Sequence, residues 1–96
     1  MNSQEFVAAL NEQGNTYLGH RARGMGGFGN LTWLNLSNNQ DYPRNVCDVS
    51  AGLQGNDLYV YAITTGGVVW RTHCTINGPV PVTCIEAWDD VQAPLP

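Results

Sequence analysis

The sequence predicts an all-β fold built from two blade-like repeats, and three observations carry that prediction. Turn-forming residues are abundant: eleven glycines, ten asparagines and five prolines among 96 residues. They interrupt short runs of Val, Ile, Leu, Thr, Tyr and Trp, the side chains that suit a pleated sheet. Asp57–Ile63 and Val68–Cys74 flank Thr64-Thr-Gly-Gly67 and read as a hairpin, with glycine at the turn. The chain also matches itself without gaps when displaced by 42 positions.

In chain order, Phe6–Leu10 is a short apolar run that reads as a strand, with Ser3, Gln4 and Glu5 able to cap a competing helical turn. Gly14–Arg23 and Phe28–Leu36 are strand candidates around the glycine-rich Gly24-Met-Gly-Gly27. Asn38–Pro43 is a turn, and Val46–Leu53 resumes the strand pattern. Within the hairpin, alternation sets Leu58, Val60 and Ala62 on one side and Tyr59, Tyr61 and Ile63 on the other. Both sets are apolar or aromatic, so both faces of this hairpin are expected to be covered. Thr75–Pro81 is expected to be a loop, Val82–Trp88 a strand, and Asp89-Asp90 the turn that ends it.

The 42-residue displacement superposes Val7-Ala-Ala9 on Val49-Ser-Ala51, Tyr17-Leu18 on Tyr59-Val60, Gly24 on Gly66, and Phe28 on Trp70. Val91–Leu95 then begins a third copy. A period of about 40–45 residues holding about four short strands is that of a β-propeller blade. The expected units are therefore residues 7–48 and 49–91 of a single domain. Two blades leave wide apolar faces open, so identical chains are expected to close a ring, as a trimer or tetramer.

Charge narrows the partners. Charged residues make up 12% of the chain, against about 25% in ordinary soluble proteins. Four arginines, no lysine and eight carboxylates give a net charge of −4. A chain without a basic stripe is a poor partner for nucleic acid or an anionic membrane surface. Its apolar runs are far shorter than the ~20 residues of a membrane-spanning helix. No basic-then-apolar leader precedes the first strand, so a cytoplasmic location or a non-classical export route is expected.

Reactive chemistry is sparse. Cys47, Cys74 and Cys84 are odd in number; Cys74 and Cys84 flank a loop and can pair if their strands are neighbours, or all three can be buried thiols. Gly24-Met-Gly26-Gly-Phe-Gly29 satisfies a dinucleotide-loop pattern, but a strand-like segment follows it where a helix is needed. His73, Cys74 and Cys84 lack zinc-site spacing, and Asp89-Asp90 reads as a solvated turn. No nucleophile and base stand at catalytic spacing, so no metal, cofactor or enzymatic activity is expected.

Gly55-Asn-Asp-Leu-Tyr-Val-Tyr-Ala-Ile-Thr-Thr-Gly-Gly-Val-Val-Trp-Arg-Thr-His73, with Trp88-Asp-Asp-Val91, resembles a blade of the tectonin-type propeller lectins, including bacterial fucose-binding ones. The chain is also similar in length, and in its Val-Tyr-rich hairpin, to two-repeat bacterial lectins whose trimers form six-bladed rings. The resemblance implies metal-free carbohydrate binding between adjacent blades, with glycans, fucosylated ones among them, as partners. Where the tectonin pattern has His directly after Trp, this chain has Arg71, with His73 two positions on.

A sugar site needs an apolar ring face together with fixed polar groups for the hydroxyls. Arg71 and His73 share one strand face and Trp70 lies on the other; the stacking ring is then Trp88 or Trp33, with Arg21 and His20 as further polar candidates. The expected function is a lectin-like module. The alternative is a structural or protein-interaction subunit of a larger assembly, without sugar binding.

Overall fold

The computed structural model describes residues 4–24, 27–28, 30–77 and 80–91. The chain is all-β, in two antiparallel sheets. The first holds β1 (Gln4–Leu10), β2 (Thr16–Gly24), β3 (Gly27–Phe28) and β4 (Thr32–Asn35), with β2 pairing to the other three. A one-turn 3-10 helix (Leu36–Asn38) leads out of it. The second sheet holds β5 (Val46–Gln54), β6 (Asp57–Thr64), β7 (Val69–Asn77), β8 (Val80–Thr83) and β9 (Asp89–Asp90). Here β8 and β9 both pair with β7, as two pieces of one interrupted edge.

The 42-residue displacement is matched in strand register at one pair. Gln4 faces Ala22 in the first sheet, and Val46 faces Thr64 in the second, both partners displaced by the same 42 positions. An irregularity between Val46 and Asp48 then shifts β5 by one residue against β6. One extra residue in an edge strand does this without turning the buried face outward beyond it. The turns follow their residues. Gly55, at φ 60°, is the first of two residues joining β5 to β6, the place where a tight hairpin needs a positive φ. Between β6 and β7, Gly67 at φ 82° donates to Thr64 O at 2.9 Å, closing the Thr-Thr-Gly-Gly turn.

One apolar cluster joins the sheets: Leu18 and Leu36 from the first half meet Leu58, Val60, Ala62, Cys74, Val82 and Trp88 from the second. Leu18 and Val60 are equivalent across the 42-residue displacement, and both are fully buried. The two sheets therefore meet through equivalent faces. Head-to-tail blade stacking, expected from the period alone, would instead bury opposite faces of neighbouring repeats. The outer faces carry Tyr17 on β2 and Tyr59, Tyr61 and Ile63 on β6; Ile63 is exposed and the tyrosines are half-buried. The expectation that both hairpin faces are covered thus holds for one of them within a chain. A closed ring is not a property of a single chain.

The segment between the two sheets and the 84–88 segment lock together. Trp88, 1% exposed, donates its Nε1–H to Leu36 O at 2.9 Å and packs T-shaped with the Tyr42 ring, centroids 5.3 Å apart. Tyr42 donates its hydroxyl to Gly14 O at 2.7 Å and contacts Thr16 Oγ1 at the same distance. The side chain of Asn39 donates to the carbonyls of Cys84 and Glu86.

Several sequence expectations need correction. Thr75–Pro81 is not a loop throughout, since β7 runs to Asn77 and β8 starts at Val80. Val82–Trp88 is not one strand: after Thr83 the chain leaves the sheet as a strap, Cys84–Trp88, anchored by Trp88 and by a Cys74–Cys84 disulfide. Asp89-Asp90 is not a free turn but β9, paired with Trp70 and Arg71. Cys47 is a free, exposed thiol. Part of the glycine-rich loop at 25–29 and the third copy over Val91–Leu95 lie outside the described residues, Val91 excepted. Among the described residues no helix is long and apolar enough to cross a membrane.

Candidate functional site

The outer face of the second sheet gathers the polar candidates. Period-two alternation projects Asp57 and Tyr59 from β6, and Arg71 and His73 from β7, onto that face, with Tyr59 directly opposite His73. The strap adds Glu86 and β9 adds Asp89, which pairs with Arg71. These side chains, with Thr72 and Ala87, line a cavity of about 320 Å³.

His73 sits at the centre of the charges. Its Nδ1 lies 2.6 Å from Glu86 Oε2, and its Nε2 lies 2.8 Å from Asp57 Oδ1. Hydrogen bonds to Glu86 first, and to Asp57 second, hold its pKa above the ordinary 6.5, against a smaller opposing effect of burial. The imidazole ring also lies 5.1 Å from the Tyr59 ring, tilted by 43°. The Arg71 guanidinium also sits over Tyr59, 5.1 Å from its centroid. The strap that presents Glu86 is fixed by Thr72, whose buried hydroxyl lies 3.0 Å from Glu86 O and 3.3 Å from Ala87 O.

The two ring nitrogens of His73 point in opposite directions to different carboxylates, so they do not converge on a point that a metal ion could occupy. Among the described residues no group of three or more His, Cys, Asp or Glu is arranged to hold one. What the arrangement offers is hydrogen bonding: carboxylate oxygens that accept, a guanidinium that donates, and an aromatic floor.

The other candidates fall elsewhere. Trp88 cannot supply a stacking face, because it is buried in the core. Trp70 is half-buried against the core, on the face of β7 opposite Arg71 and His73. Arg21 bonds Glu5 across the first sheet, Nε to Oε1 at 2.6 Å. His20 is half-buried on β2, two residues beyond Leu18 on the same face. Trp33 alone among the tryptophans is exposed, at 47%. It lies flat on Gly19, where an added Cβ would stand 2.7 Å from its ring. With Ala9, Leu10, Asn11 and Tyr17 it lines a second cavity of about 320 Å³, almost wholly apolar in its side chains.

A third cavity, about 480 Å³, lies at the joint between the halves, lined by Glu12, Tyr42, Arg44 and their neighbours. Its aromatic hydroxyl is already committed to Gly14 and Thr16.

Asp57, Tyr59, Glu86 and Asp89, four members of the charged cavity, escape the sequence reading. Asp57 and Tyr59 were legible in principle, since hairpin register places them beside Arg71 and His73. Glu86 was not, because its position depends on the strap leaving the sheet. Compared with known proteins, the chain matches no family model, no curated sequence and no solved structure.

Proposed function

We propose that the protein binds carbohydrate without catalysis, in the cavity on the outer face of its second sheet. The observation that carries this reading is the convergence of Tyr59, Arg71, Asp57, Glu86 and Asp89 on one cavity of about 320 Å³. Sugar hydroxyls are donors and acceptors at fixed spacing; carboxylates take the donors and a guanidinium serves the acceptors. Tyr59 and Ala87 supply the apolar part of the cavity lining, against which a C–H face can rest. Arg71 carries the polar role assigned to it from sequence. His73 acts by holding Asp57 and Glu86 in place. The resemblance to tectonin-type lectins makes fucosylated glycans the first ligands to try.

A glycan array read with the native chain and with Tyr59→Ala and Arg71→Ala tests this. Binding by the native chain and loss in both variants support the reading; no binding to any glycan removes it.

A second reading is a structural or protein-interaction subunit that assembles with its own copies. It is favoured by the open outer face of the first sheet, where Val7 and Trp33 are exposed beside half-buried Tyr17. Placing that face on the second sheet of the next copy repeats head to tail and closes a ring, propeller-like in its symmetry. Sedimentation decides it: a trimer or tetramer supports assembly, and a persistent 10.5 kDa monomer overturns it.

A further inference from the structure

We propose that His73 is a pH-operated clasp for the sugar pocket, gripping Asp57 and Glu86 while it carries its second proton and releasing one of them when that proton leaves. The inference concerns regulation of the site and rests on the carbohydrate reading for its consequence, though not for its chemistry.

Both ring nitrogens lie within hydrogen-bond distance of a carboxylate oxygen, at 2.6 Å to Glu86 and 2.8 Å to Asp57. A neutral imidazole has one N–H and one lone pair, so it can satisfy only one of these contacts; the other would set a lone pair against an anion. The imidazolium satisfies both. The geometry is therefore that of the charged ring, and the two partners belong to different elements: Asp57 opens β6, and Glu86 rides on the strap.

The groups facing His73 have opposing effects. Asp57 and Glu86 favour its proton, and Glu86 contributes most. Asp89 on β9 and Arg71 on β7 line the same cavity with opposite charges, and Tyr59 offers a ring face. The result is a pKa above 6.5, so the clasp is closed below that raised value and opens as pH rises through it.

Opening moves side chains rather than the strap. The Thr72 and Asn39 contacts to the carbonyls of Glu86, and the disulfide at Cys84, do not titrate in this range. Whichever of Glu86 and Asp57 then faces the lone pair is free to swing outward, both side chains being half-exposed. A sugar then loses a placed acceptor, and binding weakens by about ten-fold, the equivalent of one hydrogen bond.

Nuclear magnetic resonance on the unliganded chain reads the clasp itself. The His73 ring should titrate with a midpoint above 6.5, the Glu86 and Asp57 carboxyl carbons should sense the loss of that ring proton at the same midpoint, and Glu86→Gln or Asp57→Asn should lower it. A midpoint at or below 6.5, or one indifferent to Glu86→Gln, overturns the clasp. L-fucose affinity followed between pH 6 and pH 9 reads the consequence, and a decline of about ten-fold at the ring's midpoint is expected. Affinity that ignores pH while the ring titrates overturns the gating role. Shared titration with no glycan bound at pH 6 upholds the clasp chemistry and removes the carbohydrate reading, so the two failures are distinct.

Discussion

Replacing Trp88 with alanine separates a core role from a ligand role at the position where sequence and structure differ most. The indole is 1% exposed, its Nε1–H bonds Leu36 O at 2.9 Å, and its ring makes a T-shaped contact with that of Tyr42. Removing a buried tryptophan costs about 3–5 kcal/mol through lost transfer energy and the cavity left behind. A domain of this size has ~5–15 kcal/mol in all, so the variant should sit near the edge of folding. By thermal denaturation the midpoint should fall by at least about 12 °C, taking about 4 °C per kcal/mol as the lower limit. Trp88→Phe keeps most of the packing and loses only the indole hydrogen bond. Leu36 O still accepts from Asn39 N, so that bond alone is worth about 1 kcal/mol. Urea melts of both variants, with the disulfide intact, give the comparison. A loss below about 1 kcal/mol in the alanine variant would mean that Trp88 is not the keystone between the strap and the linker. Sugar binding retained in Trp88→Phe, against its loss in Tyr59→Ala, would confine Trp88 to the core.

Other perturbations follow from the same contacts. Gly19→Ala sets a Cβ 2.7 Å from the Trp33 ring, which must swing off the sheet; a cost of about 1 kcal/mol and a red shift in tryptophan emission are expected. An unchanged spectrum would mean that Trp33 does not rest on Gly19. Replacing both Cys74 and Cys84 with alanine frees a ten-residue separation and should cost about 3 kcal/mol by urea denaturation, from the larger unfolded ensemble. Equal midpoints with and without the bond would refute that figure. Tyr42→Phe removes the hydroxyl that joins Gly14 to Thr16 and should destabilise the chain by about 1–2 kcal/mol, with Thr16 left buried and short of a partner. A neutral Tyr42→Phe would mean that water replaces the hydroxyl.

Residue order carries the strands well, because period-two alternation and turn glycines are local signals. The Leu58-Val60-Ala62 face, the Thr-Thr-Gly-Gly turn and the shared face of Arg71 and His73 are all legible in that way. The 42-residue displacement maps the Gln4–Ala22 pair onto Val46–Thr64, and the irregularity after Val46 then sets the two registers one residue apart. How two repeats meet is another matter. A period says that units are alike, but not whether they pack through the same face or through opposite ones. That choice is made by long-range burial, here of Leu18 and Val60 in one cluster. Trp88 was misread for the same kind of reason. Alternation sets Trp70 away from Arg71 and His73 and so leaves Trp88 as a stacking ring, but the excursion of the strap, with Leu36 O waiting 52 residues away, draws it inside. Glu86 reaches His73 as a consequence of that excursion, so no local pattern announces it.

Amide chemical-shift mapping with the isotope-labelled chain at pH 6, titrated to millimolar L-fucose and then a monosaccharide panel, addresses the function most directly. Shifts concentrated at Asp57, Tyr59, Arg71, His73 and Glu86, saturating together, are the predicted result. Shifts confined to Tyr17 and Trp33 on the other sheet, or none with any sugar, would contradict it.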